Sequence, residues 1–182
     1  MSTQVSTVEQ PAARTASLQR RIRLLLIAFI VGLVLSGLTA FPLPWEVSLL
    51  ARLLGARDGS SPDEYSGLLW WIVTVRNALL DTDAEYPFLA YGTDWLAFAH
   101  IVIATAFWGP LKDPVRNVWI IEWAMLACIL IIPLALICGP IRGIPFGWQL
   151  IDCSFGVIGI IPLWLCRRDI KELETLQNRT QL

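Results

Sequence analysis

"VWIIEWAMLACILIIPLALIC", Val118–Cys138, is the stretch of sequence that decides the fold. Glu122 is its single charged residue, and its length is about the 20 residues that a helix needs to cross the hydrocarbon core of a bilayer. A run this long and this apolar predicts a transmembrane helix. The chain is therefore expected to be an integral membrane protein.

The composition of the whole chain agrees with this class. Apolar residues make up 55% of its 182 residues and charged residues 16%, whereas about a quarter of the residues in an average soluble domain are charged. The formal net charge is -1, which argues against binding nucleic acid or an anionic surface through bulk charge. We expect no nucleic acid partner, and function must lie in local sites.

Four apolar runs approach the length of a transmembrane helix, which predicts an all-α integral membrane protein. The predicted spans lie at about 24–42, 93–111, 118–138 and 147–166, with an outer segment at 43–92. The first run could be mistaken for a signal peptide, but its length and the bulky Leu38 near Ala40 predict an uncleaved anchor. The membrane domain is expected at 20–168, between a disordered leader at 1–19 and a tail at 169–182.

Lysine and arginine set the orientation, because cytoplasmic loops carry an excess of both. With the N-terminus inside, most of the 14 Lys and Arg residues are cytoplasmic, and only four arginines lie outside. These four are Arg52, Arg57, Arg76 and Arg142. Most of the tryptophans also fall near the predicted span ends, as interfacial residues do. The sequence therefore predicts a plasma (inner) membrane protein with both termini in the cytoplasm.

Two helices are predicted within the outer segment. Residues 45–59, "WEVSLLARLLGARDG", place apolar residues along one face, as in a helix that lies in the membrane interface. The next helix, over 62–81, is predicted to start at Ser61 as N-cap, with Pro62 at the first helical position. It is too short and too polar for a fifth span, so we expect it to lie on or dip into the outer leaflet. The acidic residues at 81–87 predict a solvated turn.

His100, the only histidine, is a candidate site, because an ionisable residue inside a span costs free energy unless it is paired or reaches water. It shares a helical face with four residues, most of them small: Thr93, Ala97, Ala104 and Phe107. Small residues mark helix contacts in membranes, so His100 is expected to point into the bundle.

Asp152, in the fourth span, is the expected partner of His100. It enters from the same side to a similar depth, and it shares a face with Gly156 and Gly159, which allow close helix contact. We therefore predict a hydrogen bond between His100 and Asp152. The pair would act either as a lock between the second and fourth spans or as a proton-accepting or ligand-orienting site.

Asp94 and Arg142 are further candidates at the outer end of the bundle. Asp94 lies about 120° around the helix from His100, so the two are not expected to share one ligand from the same face. Asp94 would be structural as an N-cap aided by Thr93. With Arg142, in the turn "CGPIRGIPFGW", it would instead form an outward-facing polar vestibule. Arg142 would otherwise cap carbonyls or pair with an acid of the outer segment.

Three polar residues near the cytoplasmic side are predicted to be structural. Glu122 lies one turn inside the third span, where Arg116, Arg167 or Arg168 would neutralise it. In the tight turn "GPLKDPVRN", Asp113 and Arg116 are placed for a local ion pair.

The four cysteines predict no metal or redox centre, because no CxxC motif is present. Cys138 and Cys153 both lie towards the outer, oxidising side of the membrane, where they would be able to form a disulfide. Cysteine as a small apolar residue is more common at such positions. Haem is not indicated, because His100 would need a second axial ligand. That ligand would have to be Met125, which enters from the opposite side of the bilayer, or a symmetry-related histidine. We expect no metal and no cofactor.

Two functional interpretations follow. The first is a non-enzymatic accessory, sensor or small-ligand-binding module with an outward-facing polar site, since no nucleophile, metal or phosphate motif is present. The second is an integral-membrane enzyme or carrier for an apolar substrate such as a lipid or quinone, with His100 and Asp152 as acid/base or coupling residues. Besides the lipid bilayer, the expected partner is a membrane protein or a second copy that meets small-residue faces such as Gly32 with Ser36.

Overall fold

The computed structural model describes residues 5–180, with side chains from 13 to 179, and this part of the chain contains helices, turns and loops but no strand. Its α-helices are α1 (Val5–Ala40), α2 (Leu43–Leu53), α3 (Gly67–Glu85), α4 (Ala90–Ala106), α5 (Trp108–Lys112), α6 (Val118–Ile141) and α7 (Phe146–Thr180). Two one-turn 3-10 helices, Pro62–Glu64 and Pro87–Leu89, precede α3 and α4.

Four helical segments of the described chain are long and apolar enough to cross a membrane. They are Ala13–Ala40, Pro87–Lys112, Val118–Ile141 and Phe146–Arg179. The buried share of their most apolar windows runs only from 11% to 28%, so most of their apolar surface is left for lipid. The prediction of an all-α protein with four membrane-length helices is confirmed.

By its internal contacts the chain divides into two compact units. The first unit contains the chain up to Val31 and from Thr105 onward, and the second is Gly32–Ala104.

A close helical hairpin of α6 and α7 forms the centre of the first unit. Gly156 faces the backbone carbonyl of Cys128 so closely that a Cβ atom would collide with it, and a Cβ at Gly159 would lie 3.1 Å from the Cys128 sulfur. Gln149 is buried at the turn and donates to the carbonyl of Ile144 at 2.7 Å. The glycines of the fourth span thus serve helix contact, as small residues do in membranes.

Helices α1 and α7 of this unit extend beyond the predicted membrane domain of 20–168. α1 begins at Val5, inside the segment 1–19 that composition predicts as a disordered leader. α7 continues without a break to Thr180, through most of the segment predicted as a separate tail at 169–182. Hydropathy does not detect these extra turns, because they are polar on most of their surface.

Ion pairs hold the added turns of α1 and α7 side by side. Arg14 pairs with Glu172 at 2.7 Å, and Arg21 pairs with Asp169 at 3.0 Å, which makes the two helices antiparallel. Leu18, between the two arginines, is only 3% exposed. Tertiary packing of an apolar stripe, rather than helix propensity alone, therefore stabilises these turns.

The second unit contains the outer segment, and its helices differ from the predicted ones at their ends. The first helix occupies Leu43–Leu53 rather than 45–59. Gly55, just after its end, has a φ of 96°, which does not continue an α-helix. Ser61 and Pro62 start a single 3-10 turn rather than a long helix.

A helical turn starts at Pro62 after Ser61, as predicted, but the long helix begins later because the chain first becomes extended. Tyr65 has φ -128° and ψ 170°, so α3 begins only at Gly67. Its C-terminal end is also later than predicted, at Glu85. The acidic residues at 81–87 therefore lie mostly in the last turns of α3, and the predicted solvated turn does not form.

Candidate functional site

Asp94 is not the helix cap that the sequence suggested. Because α4 begins at Ala90, Asp94 lies in its second turn, where the backbone N–H groups are already bonded within the helix. Thr93 does not assist it either, since its hydroxyl donates to the carbonyl of Ala90 at 2.7 Å. The helix thus does not need the carboxyl group of Asp94 as a cap, and the group is partly exposed.

Asp94 and four aromatic rings line an open cavity of about 250 Å³. Tyr91, Trp95 and Phe98 come from the same face of α4, at helical spacing, and Phe41 comes from the turn that follows α1. The Tyr91 and Trp95 rings are 5.9 Å apart and edge-to-face, and those of Trp95 and Phe98 are 6.2 Å apart and edge-to-face. We call this set of five residues the aromatic pocket; all five belong to the second unit.

The chemistry of the aromatic pocket favours a cation. The face of an aromatic ring carries a partial negative charge, which attracts ammonium groups, and Asp94 adds a full negative charge in the same space. An anion would meet repulsion from both. A neutral apolar molecule would lack a partner for the carboxylate, and burying a carboxylate without a partner is costly.

His100 lies six residues further along α4 than Asp94 and makes a local hydrogen bond. Its Nδ1 lies 2.8 Å from the carbonyl oxygen of Leu96. A carbonyl accepts only, so Nδ1 carries the proton, and Nε2 of the neutral ring has a lone pair that can accept a proton or a hydrogen bond. The tautomer is therefore fixed by the helix backbone.

The small face around His100 packs against α1 within the second unit. A Cβ atom at Gly37 would lie 2.8 Å from the carbonyl oxygen of Ala97 and 3.2 Å from the Cβ of His100. Ala97 is fully buried and Ala104 is 5% exposed. The close approach of α1 uses Gly37, whereas the surroundings of Gly32, predicted to meet a partner together with Ser36, are open.

Asp152 and Arg142 belong to the first unit. Asp152 is partly exposed in the second turn of α7, and Arg142 is exposed at the end of α6, where its backbone N–H donates to the carbonyls of Cys138 and Gly139. The hydrogen bond between His100 and Asp152, and the vestibule of Asp94 with Arg142, stay predictions.

Sequence reasoning missed a buried polar cluster in the outer segment. Arg76, 2% exposed, donates from its two terminal nitrogens to the carbonyl of Arg57 at 3.0 Å and to that of Ser60 at 3.1 Å. Its Nε donates to Asn77, whose amide in turn donates to the Ser60 carbonyl. The adjacent Arg76 and Asn77 within the apolar stretch 68–80 were a signal in the sequence, because such polar side chains require hydrogen-bond partners when they are buried.

The loop held by Arg76 is also closed on itself. The Ser61 backbone N–H donates to the Glu64 carboxylate at 2.9 Å, and Arg57 forms an ion pair with the same group. The Ser61 bond, followed by the Arg57 bond, lowers the pKa of Glu64. The hydroxyl of Tyr65 accepts from the backbone N–H of Arg57 at 3.0 Å. The outer segment is therefore an ordered lobe.

Polar residues of the first unit make structural contacts. Glu122 accepts from Arg167 at 2.8 Å, one of the three arginines that the sequence offered as its partner. Asp113 accepts from the backbone N–H of Arg116 at 3.0 Å, a turn-closing bond rather than the predicted ion pair. Asp169, which sequence reasoning overlooked, is 1% exposed and pairs with Arg21.

The thiols and possible metal ligands form no centre within the described residues. Cys138 and Cys153 are free thiols, so the disulfide considered from the sequence is not formed. No group of three or more His, Cys, Asp or Glu side chains in that part of the chain is arranged to hold a metal ion.

The chain matches no protein-family model, and comparison with curated proteins and with solved structures finds no match.

Proposed function

We propose that this protein is a non-enzymatic membrane module that binds a small organic cation of the ammonium class in its aromatic pocket. The observation that carries the proposal is Asp94, a carboxylate that does not cap its helix and that shares a cavity with four aromatic rings. The volume of about 250 Å³ lies just below the usual range for small-molecule sites, which starts at about 300 Å³, so the ligand is small. The positive-inside rule predicts that the pocket faces outward.

Binding would rest on charge and ring contacts together. Cation–π contacts contribute about 0.5–2 kcal/mol each, depending on how far the cation is desolvated. The carboxylate of Asp94 supplies the counter-charge and selects against neutral molecules of the same shape. Neither contribution requires a nucleophile, a metal or a second substrate, which supports binding rather than catalysis.

The test uses the full chain in a maltoside detergent, which carries no ammonium group. Choline is titrated by calorimetry beside 3,3-dimethyl-1-butanol, a neutral molecule of nearly the same shape. We expect choline to bind and the alcohol to bind about tenfold more weakly or not at all. Asp94→Asn should weaken choline binding by about tenfold, and Trp95→Leu by about fivefold, because each removes about 1 kcal/mol or more.

Matched controls keep this test specific. Asp83→Asn removes an exposed acid that does not line the pocket, and Phe88→Leu removes an aromatic ring that is 69% exposed and lies outside it. Both should bind choline normally. Equal losses in the pocket variants and in these controls would overturn the proposal.

The same titration addresses the enzyme or carrier interpretation, in which Nε2 of His100 would be the proton acceptor, since Nδ1 lies against the Leu96 carbonyl. If His100→Ala or Asp152→Asn abolishes ligand binding in a folded protein while Asp94→Asn does not, the site lies at those two residues. The aromatic pocket would then be only a lipid-facing aromatic belt.

A further inference from the structure

A second cavity lies in the first unit, beside the part of α1 where its apolar run begins. Gln19, Arg23 and Lys112 line it together with the buried residues Leu26 and Pro110. Its volume is about 120 Å³, which is about four times the share of one water molecule in the liquid, at about 30 Å³. It has room for a compact polar group and not for a whole lipid.

The cavity has two cations without a carboxylate partner. Among the described side chains of the first unit, Arg23 and Lys112 take no part in an ion pair, whereas neighbouring Arg14 and Arg21 each pair with an acid of α7. The nearest acid in sequence, Asp113, accepts from a backbone N–H instead. Two positive charges and the amide of Gln19 therefore face one small space with no negative charge to balance them.

The position of the two cations in the chain places them at a membrane surface. Arg23 directly precedes the apolar run of the first span, and Lys112 ends the second membrane-length segment. Lys112 Nζ lies 5.3 Å from the centre of the Trp108 ring, and Trp108 is 62% exposed. Tryptophan beside lysine at the end of a span is typical of the headgroup level of a bilayer.

We propose that this cavity binds the phosphate group of an anionic ligand, with Arg23, Lys112 and Gln19 as donors. Guanidinium and ammonium groups are the side chains that bind phosphate in proteins, and basic pockets between membrane helices bind anionic headgroups. The phosphate can belong to a phospholipid headgroup or to free phosphate. This site is independent of the proposed cation-binding function.

The experiment measures thermal unfolding of the full chain in a neutral, phosphate-free detergent buffer. Phosphatidylglycerol, phosphatidylcholine and inorganic phosphate are added in separate arms. We expect phosphatidylglycerol to raise the unfolding temperature and phosphatidylcholine to raise it clearly less, because the site carries two uncompensated positive charges. A response to phosphatidylglycerol alone identifies the lipid headgroup as the source, and an equal response to inorganic phosphate identifies free phosphate.

Variants of Arg23 and Lys112 then test whether the ligand binds in this cavity. The double variant R23Q/K112Q should weaken the apparent affinity for the active ligand by at least about tenfold, and each single variant by about fivefold. The matched control R20Q/R116Q removes two positive charges from the same two segments, but neither of its residues lines the cavity, and it should respond like the wild type. All four residues are exposed, so the folded state should be retained; the charge-conserving R23K/K112R should keep most of the response.

Two results would overturn the proposal. One is an equal loss of affinity in R23Q/K112Q and R20Q/R116Q, which would mean that bulk charge attracts the ligand. The other is a response to phosphatidylcholine as large as that to phosphatidylglycerol, or none to any of the three ligands.

Discussion

At the scale of single residues, Arg76 determines the order of the outer segment. It is 2% exposed, and its guanidinium group donates to carbonyl and hydroxyl oxygens rather than to a carboxylate of its own unit. Each of these bonds connects α3 to the loop that follows α2. Buried polar groups lose the free energy of hydration, so removing the guanidinium group gives up several hydrogen bonds that hydration does not replace.

Replacing Arg76 should therefore destabilise the protein strongly. We expect Arg76→Met to lower the free energy of unfolding by about 2–4 kcal/mol, because the buried hydrogen bonds of its guanidinium group to Arg57, Ser60 and Asn77 are lost. Denaturant unfolding followed by tryptophan fluorescence measures this. Arg52→Met, which breaks an exposed ion pair with Asp58, should cost no more than about 1 kcal/mol. Equal small losses would mean that the loop does not depend on Arg76.

At the scale of helices, the contact of α6 with α7 depends on where glycines fall. Gly156 and Gly147 are both in α7, and neither has a positive φ. Gly156 is pressed against the backbone at Cys128, whereas no atom lies within 4 Å of a Cβ at Gly147. The two positions therefore separate the effect of helix packing from that of glycine flexibility.

Alanine at these two positions should have opposite effects. Gly156→Ala should lower the free energy of unfolding by about 1–3 kcal/mol, because its methyl group forces α6 and α7 apart. Gly147→Ala should be neutral or stabilise by up to about 1 kcal/mol, because alanine favours the helix. Thermal unfolding in detergent, with size-exclusion chromatography as a check on folding, compares them. A loss for both variants would show that backbone flexibility, not packing, explains the glycine at 156.

At the scale of the whole molecule, the ion pairs of α1 with α7 bring the two ends of the membrane domain together. Arg14 and Arg21 meet Glu172 and Asp169 in the first unit, so the segments before the first span and after the fourth lie at one end of that unit. A chain that crosses a membrane four times returns to the side where it started. The excess of Lys and Arg predicts that this side is the cytoplasm.

Reporter fusions test this orientation. A fluorescent protein fused after Leu182 should fold and fluoresce in the cytoplasm, whereas alkaline phosphatase inserted after Gly59, an exposed loop position, should be active outside. The reciprocal fusions should be inactive. Phosphatase activity at the C-terminus would reverse the predicted topology and would place the aromatic pocket on the cytoplasmic side.

The sequence alone determined the helical class, the four membrane-length helices and their approximate places. This follows because transfer into a bilayer depends on the sum of apolar residues over a local window. It also identified Asp94 and His100 as residues of interest. Their setting was not predictable, because the start of α4 depends on the turn at Pro87–Leu89 rather than on a capping residue.

Only the tertiary structure decided which polar groups have partners. Arg76 meets carbonyls 16 and 19 residues away, and Arg14 meets an acid 158 residues away. Asp94 shares its cavity with Phe41, which lies at the end of a different helix. Hydropathy and helical period describe neighbours within one helix, whereas these contacts depend on how helices pack, and packing brings together residues that are far apart in the chain.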